Sequence, residues 1–137
     1  MKKKLNILLI EDDFIEVMKI NRTISTLSLS HNIMEANNGE EAMEVLEKTS
    51  QLPDIILLDL HMPKINGIEF LIMMKSKVEL RHIPVIILTT SSNHKDLKEC
   101  YKIGISGYIV KPLKYEHYVE KIRVVLDYWS INELINI

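Results

Sequence analysis

The chain has 137 residues, 47% of them apolar and 26% charged, with a formal net charge of −2 and a pI of about 6.2. That is the length and composition of one globular domain able to bury a core. No basic face large enough to grip nucleic acid stands out, a single cysteine (Cys100) excludes an internal disulfide framework, and no stretch reaches the roughly 18 apolar residues of a membrane span.

The opening, MKKKLNILLIEDD, superficially resembles a secretory leader. Its apolar run, Leu5 to Ile10, contains an asparagine and stops at three acids, so a soluble cytoplasmic protein is expected. LNILLI (5–10) predicts a first strand. Val17, Ile20, Ile24 and Leu27 then recur at spacings of three and four, which predicts an amphipathic helix over 14–28. NIMEA (32–36) is a weaker strand suited to a sheet edge. Residues 39–48 set Ala42, Val45 and Leu46 among glutamates as a second helix. DIILLD (54–59) is the next strand. After the turn PKING, residues 66–75 form a helix apolar on more than one side, so at least one of Met73 and Met74 is expected to be partly exposed. PVIILTT (84–90) predicts a fourth strand, and the helix over 95–103 ends at Gly104 as a C-cap. GYIVKP (107–112) leads to a last helix from about Lys114, with Tyr118, Ile122, Val125 and Trp129 along one face. Strand and helix repeated five times imply an α/β fold, with a parallel sheet covered by helices on both sides. Three strands apolar almost throughout agree with that burial.

In such a sheet ligands bind beyond the carboxyl ends of the strands, so the residues after each apolar run carry the functional information. Strand 1 is followed by Glu11, Asp12 and Asp13, strand 3 ends in Asp59, strand 4 runs into Thr89 and Thr90, and strand 5 into Lys111. Singly, each is an ordinary solvated loop residue. Together they bring carboxylates, a hydroxyl and an ammonium to one edge. Clustered carboxylates need a cation, and hard oxygen ligands that leave room for water and phosphate suit Mg²⁺. Phosphoryl transfer is mostly positioning and charge neutralisation. This chemistry fits Asp59 as a nucleophile, Lys111 and Mg²⁺ as its neutralising cations, and Thr89 as a hydroxyl donor. Pro112 restricts Lys111 to extended backbone, so the lysine cannot recoil into a helix.

The motifs ILLIEDD, DIILLDLHMPKINGIEF, IPVIILTTS and GYIVKPL, in this order, resemble the receiver domain of two-component response regulators over nearly the whole chain. The resemblance implies a flavodoxin-like (βα)5 three-layer sandwich of strand order 2-1-3-4-5, an order that obeys the switch-point rule. It implies Asp59 as phosphoacceptor, Glu11 and Asp12 as the acidic pair with Asp12 the direct Mg²⁺ ligand, and a backbone carbonyl of His61 on the metal. Asp13 falls just outside that first set. Thr89 and Tyr108 match the threonine and aromatic that rearrange on phosphorylation, Lys111 the phosphate-contacting lysine, and its bond to Pro112 is expected to be cis. Phosphorylation in this family repacks the face of helix 4, strand 5 and helix 5. His61 and Ser91, at positions that tune dephosphorylation, are not the carboxamides of fast self-dephosphorylating members, which implies a long-lived phosphoform. The run LTTSSNHKDLKECYKIGISGYIVKP, with DYW after it, is similar to stand-alone receivers paired with phytochrome-type histidine kinases. A sensor histidine kinase as phosphodonor and a homodimer through the last helix and tail follow from that likeness.

A receiver over 1–128 and a short tail over 129–137, without an output domain, are therefore expected. The tail's Trp129, Ile131, Leu134, Ile135 and Ile137 either pack back on the domain or form a contact surface. The five histidines lack zinc-like spacing, and Cys100 reads as packing. Two other functions remain in view. A phosphohydrolase acting through a phosphoaspartate wants an aspartate where His61 stands, and an unphosphorylated scaffold ordinarily lacks one of the residues kept here. No P-loop motif is present.

Overall fold

The structure, a computed structural model, describes residues 3–135. Five strands, β1 (Asn6–Ile10), β2 (Asn32–Ala36), β3 (Ile55–Leu58), β4 (Val85–Thr89) and β5 (Gly107–Val110), form one parallel sheet of order β2-β1-β3-β4-β5. They alternate with helices α1 (Phe14–Thr26), α2 (Gly39–Lys48), α3 (Gly67–Lys75), α4 (His94–Ile103) and α5 (Tyr115–Ser130). This is the flavodoxin-like order expected, with NIMEA at an edge. No described helix is long and apolar enough to cross a membrane.

The strand period of two divides each central strand between two cores. Leu8, Ile10, Ile56, Leu58, Val85 and Ile87 face α2, α3 and α4 through Ala42, Leu46, Phe70, Leu71, Met74 and Cys100. Ile7, Leu9, Ile55, Leu57, Ile86 and Leu88 face α1 and α5 through Val17, Ile20, Ile24, Tyr118, Ile122 and Leu126. Every residue of β3 and β4 is therefore buried, which explains why those sequences show no alternation.

Helix boundaries follow cap chemistry. Asp13 caps α1 by accepting from the Ile15 N–H at 2.9 Å, and α1 stops at Thr26 rather than reaching residue 28, since Leu27 is the C-cap and Ser28 has positive φ. Asn66 is the N-cap of α3, closed reciprocally with Glu69, so the helix starts at Gly67. Asn93 caps α4 one residue earlier than periodicity predicts. Gly104 ends α4 at φ 125°, where its N–H donates to the Cys100 carbonyl. On α3, Met74 is fully buried and Met73 is 37% exposed.

The last helix continues through Tyr128 to Ser130. Trp129 and Leu134 pack against the α1–α5 core, whereas Ile131 and Ile135 are exposed. Packing back on the domain therefore holds for Trp129 and Leu134 but not for Ile131 and Ile135; Ile137 lies outside the described residues. The Lys111–Pro112 bond is trans, correcting the expected cis form. Trans is the isomer an X–Pro bond favours when tertiary contacts do not impose the other.

Gly67 ties α3 to the end of β3. A Cβ built on it would stand 2.5 Å from the Asp59 carbonyl oxygen and 2.7 Å from the Leu60 Cα, both backbone atoms. Gly67→Ala should destabilise the fold by about 1–3 kcal/mol, the ordinary cost of overpacking, read as a lower urea midpoint at unchanged slope.

Candidate functional site

The carboxyl ends of all five parallel strands share one edge, and register decides which residues meet there. Ile10 pairs with Leu58, so the next residues, Glu11 and Asp59, emerge side by side; the Asp59 N–H donates to the Ile10 carbonyl at 3.0 Å. Thr89 pairs with Val110, and the Lys111 N–H donates to the Thr89 carbonyl at 2.7 Å. Four sequence-distant residues are thereby fixed by backbone bonds before their side chains interact.

Glu11, Asp12 and Asp59 can each place a carboxylate oxygen within 4.8 Å of the other two. Lys111 supplies the nearest positive charge. Its Nζ donates to Glu11 Oε1 at 2.9 Å, and both side chains are only 5% exposed. Asp13 stands outside the acidic trio, occupied as the cap of α1 while its own N–H donates to Glu11 Oε2 at 3.3 Å. A cavity of about 280 Å³ opens among these acids, Lys111, His61 and Thr90. A larger groove, about 830 Å³, lies between α3 and α4, lined by Ile72, His94, Glu99, Ile103 and lysines; it has no carboxylate cluster.

Burial governs the protonation of this cluster. It pushes the Glu11 carboxyl up to about 7, although the bond to Lys111 pulls the other way. Burial also raises the Asp59 carboxyl, opposed by Lys111, by Glu11 and by a hydrogen bond from the His61 backbone. The Lys111 ammonium is held above the ordinary lysine range because its carboxylate neighbours outweigh its burial. Three close carboxylates, one ammonium and a small polar cavity form a site of unbalanced negative charge made of hard oxygen donors. A divalent cation such as Mg²⁺ fits that donor set.

Thr89 is fully buried at the end of β4, and its Oγ1 accepts from the Ser91 N–H at 3.2 Å. The adjacent Thr90, rather than Thr89, lines the cavity. Tyr108 donates its hydroxyl to the Ser91 carbonyl at 3.1 Å. Ser91 Oγ in turn donates to Asp96 Oδ2 at 3.0 Å, and His61 Nε2 lies 4.0 Å from the same Asp96 oxygen. The imidazole of His61 thus lies near α4, while the residue also lines the cavity among the acids. Cys100 is buried and its thiol is pushed up to about 11, mainly by burial, consistent with packing.

Sequence reasoning missed Glu16. Its Oε2 approaches Lys111 Nζ to 3.5 Å, making it a second acid on the same ammonium. Only the signal of an acid in the first turn of α1 was available, and such acids ordinarily reflect the helix dipole.

The response regulator receiver domain model matches residues 7–123. The chain is 35% identical over 127 residues to the probable methanogenesis regulatory protein FilR2 of Methanothrix harundinacea, covering 90% of this chain and 82% of that one. It is 30% identical to the response regulator Rcp1 of Synechocystis, covering 90% and 87%. Among solved structures, the phosphorylated cyanobacterial phytochrome response regulator RcpA superposes with a TM-score of 0.90 at 29% identity, covering 97% of this chain and 99% of that one. The Mn²⁺-bound form of Rcp1 gives 0.88 at 28% identity, covering 96% and 99%. With the family model matched from β1 into α5 and the strand order of the sheet in agreement, the chain belongs to the response regulator receiver domain family.

Proposed function

We propose that this protein is a phosphorylation switch that accepts a phosphoryl group on Asp59 from a sensor histidine kinase in an Mg²⁺-dependent reaction. The observation that carries the reading is the convergence of Asp59, Glu11, Asp12 and Lys111 on one small cavity. Asp59 Oδ attacks the donor phosphorus, the phosphorus–nitrogen bond of a phosphohistidine breaks, and the imidazole leaves with the electron pair. An acyl phosphate remains on Asp59. Glu11, Asp12, Asp59 and the His61 carbonyl would hold Mg²⁺, which would supply charge neutralisation for the phosphoryl oxygens. Lys111 neutralises them from the β5 side. Thr89 exchanges its contact with Ser91 for the phosphoryl group, and Tyr108, bonded to the same Ser91, follows. The adjoining surface of α4, β5 and α5 changes with them.

Several features support this output. Cys100 is the one buried residue of α4, and β5 is only partly buried along its length, so this side of the sheet is the more easily rearranged. Phe14, Ile15 and Met18 at the start of α1, with Leu113 just past Lys111, expose apolar side chains beside the site, where a histidine-bearing donor must dock. The likeness to RcpA, a phytochrome response regulator, favours a phytochrome-type kinase as that donor.

Incubation with acetyl phosphate and Mg²⁺ should add one labile phosphoryl group, seen by intact-mass spectrometry. Omission of Mg²⁺ or the change Asp59→Ala should abolish it, and the adduct should persist far longer than seconds. No adduct under any condition would leave the scaffold reading in possession. Val124, Tyr128, Ile131 and Ile135 expose an apolar stripe along α5 and the tail, which supports a homodimer. Light scattering after size exclusion should give a dimer, and Tyr128→Glu with Ile131→Glu a monomer.

The Glu11 carboxyl sets a pH dependence. Its ordinary value is 4.5 and in the fold it is pushed up to about 7, so between these values the native state holds a proton that the unfolded chain has lost. Metal-free stability from this group is present below about pH 4.5 and lost as pH rises through about 7. The urea midpoint should therefore fall across that window, and Glu11→Gln should flatten the decline. Mg²⁺ affinity should rise with pH over the same range, since the ligand must be ionised.

A further inference from the structure

We infer that Glu16 is a positioning residue for Lys111, receiving the ammonium when a divalent cation claims Glu11; this rests on the metal reading proposed above. Both oxygens of Glu11 are already engaged, Oε1 by Lys111 at 2.9 Å and Oε2 by the Asp13 N–H at 3.3 Å. A divalent cation that ligates Glu11 draws on the same carboxylate charge and repels the ammonium, which weakens the bond to Lys111. Releasing Lys111 alone would leave an ammonium in a side chain only 5% exposed without a partner, an arrangement that strongly opposes the exchange.

Glu16 removes that obstacle. Its Oε2 is shielded from solvent, accepts no hydrogen bond and lies 3.5 Å from Lys111 Nζ. Buried polar atoms without a hydrogen bond are uncommon, and this one is an acceptor already aimed at the lysine. A swing of roughly half an ångström by Nζ would complete the bond. The carboxylate is kept in place by its position in the first turn of α1 and by Lys19, whose Nζ is 3.7 Å from the same oxygen. Lys19 is itself seated 4.4 Å over the ring of the buried Tyr118 on α5. Lys111 is thus shared between two acids, one needed by the cation and the other available when the cation arrives.

The test is a double-mutant cycle read by calorimetric titration with MgCl₂, which requires no phosphorylation. Glu16→Leu should weaken Mg²⁺ binding roughly tenfold, the scale of a hydrogen bond to a charged group. Glu16→Gln, which keeps an acceptor, should recover part of the loss. In a Lys111→Met background neither change should have a comparable effect. Unchanged affinity in Glu16→Leu, or an equal loss with and without Lys111, would overturn the inference, because Glu16 would then act through its charge alone or not at all. Should Glu16→Leu fail to fold by circular dichroism, Glu16→Gln carries the same comparison, with a smaller loss expected only where Lys111 is present. A wild-type chain that binds no Mg²⁺ would instead remove the metal reading itself, and this inference with it.

Discussion

The arrangement at the sheet's carboxyl edge depends on one ammonium. Lys111 is the cation within hydrogen-bonding distance of a buried glutamate, beside Asp59 and within reach of Glu16. Removing one partner of such a buried pair ordinarily costs about 3–5 kcal/mol, because the survivor is left uncompensated. The site is nevertheless not neutral. Burial still pushes Glu11 and Asp59 upward, so Lys111 offsets only part of the cost of taking these acids out of water. Residual negative charge is what gives such a place an affinity for a divalent cation. A site satisfied by its own lysine would have no reason to bind one.

This balance rests on the sheet. β3 and β4 are buried along their whole length, and their register with β1 and β5 leaves no freedom for Glu11, Asp59 or Lys111 to slip along the edge. A shift of one residue would turn each side chain to the opposite face. The helices add the finer placement. Asp13 uses its side chain to start α1 and its N–H to hold Glu11, so the helix that carries Glu16 is anchored to the acid it complements. Gly67 allows α3 to begin against the Asp59 carbonyl. Rigid backbone and mobile ammonium are complementary requirements of one site.

How much of this could be read from the sequence follows from the distance over which each cause acts. Strands β1, β3 and β4 were legible because burial on both faces leaves a continuous apolar run, and the acids after β1 and β3 and the lysine after β5 are then brought to one edge by topology. NIMEA was legible as an edge because its burial is partial. Asn66 and Asn93 show where periodicity runs out, since a cap is one side chain accepting one N–H rather than a repeated pattern. Glu16 was hidden for a different reason. Its role depends on the rotation of α1 about its axis relative to Lys111, almost a hundred residues away, and no local signal encodes that. Thr89 and Thr90 are neighbours of the same type, and only the strand's alternation decides which one lines the cavity. The trans Lys111–Pro112 bond marks where a family expectation exceeded what the residues themselves determine.

Ser91 connects this edge to β5 and α4. Its N–H, carbonyl and hydroxyl engage Thr89, Tyr108 and Asp96 respectively, so three elements converge on one small residue. Under the proposed reading, a phosphoryl group that draws Thr89 away removes the acceptor of the Ser91 N–H, and the same residue's other two bonds then lose their fixed geometry. One of them is made by a tyrosine on a partly buried strand, the other by an acid on a helix with a single buried residue. Few apolar contacts oppose their movement, whereas α1 buries Val17, Ile20 and Ile24 in the second core and resists it. The asymmetry between the two sides of the sheet, more than any feature of Asp59, determines which surface would report the added charge.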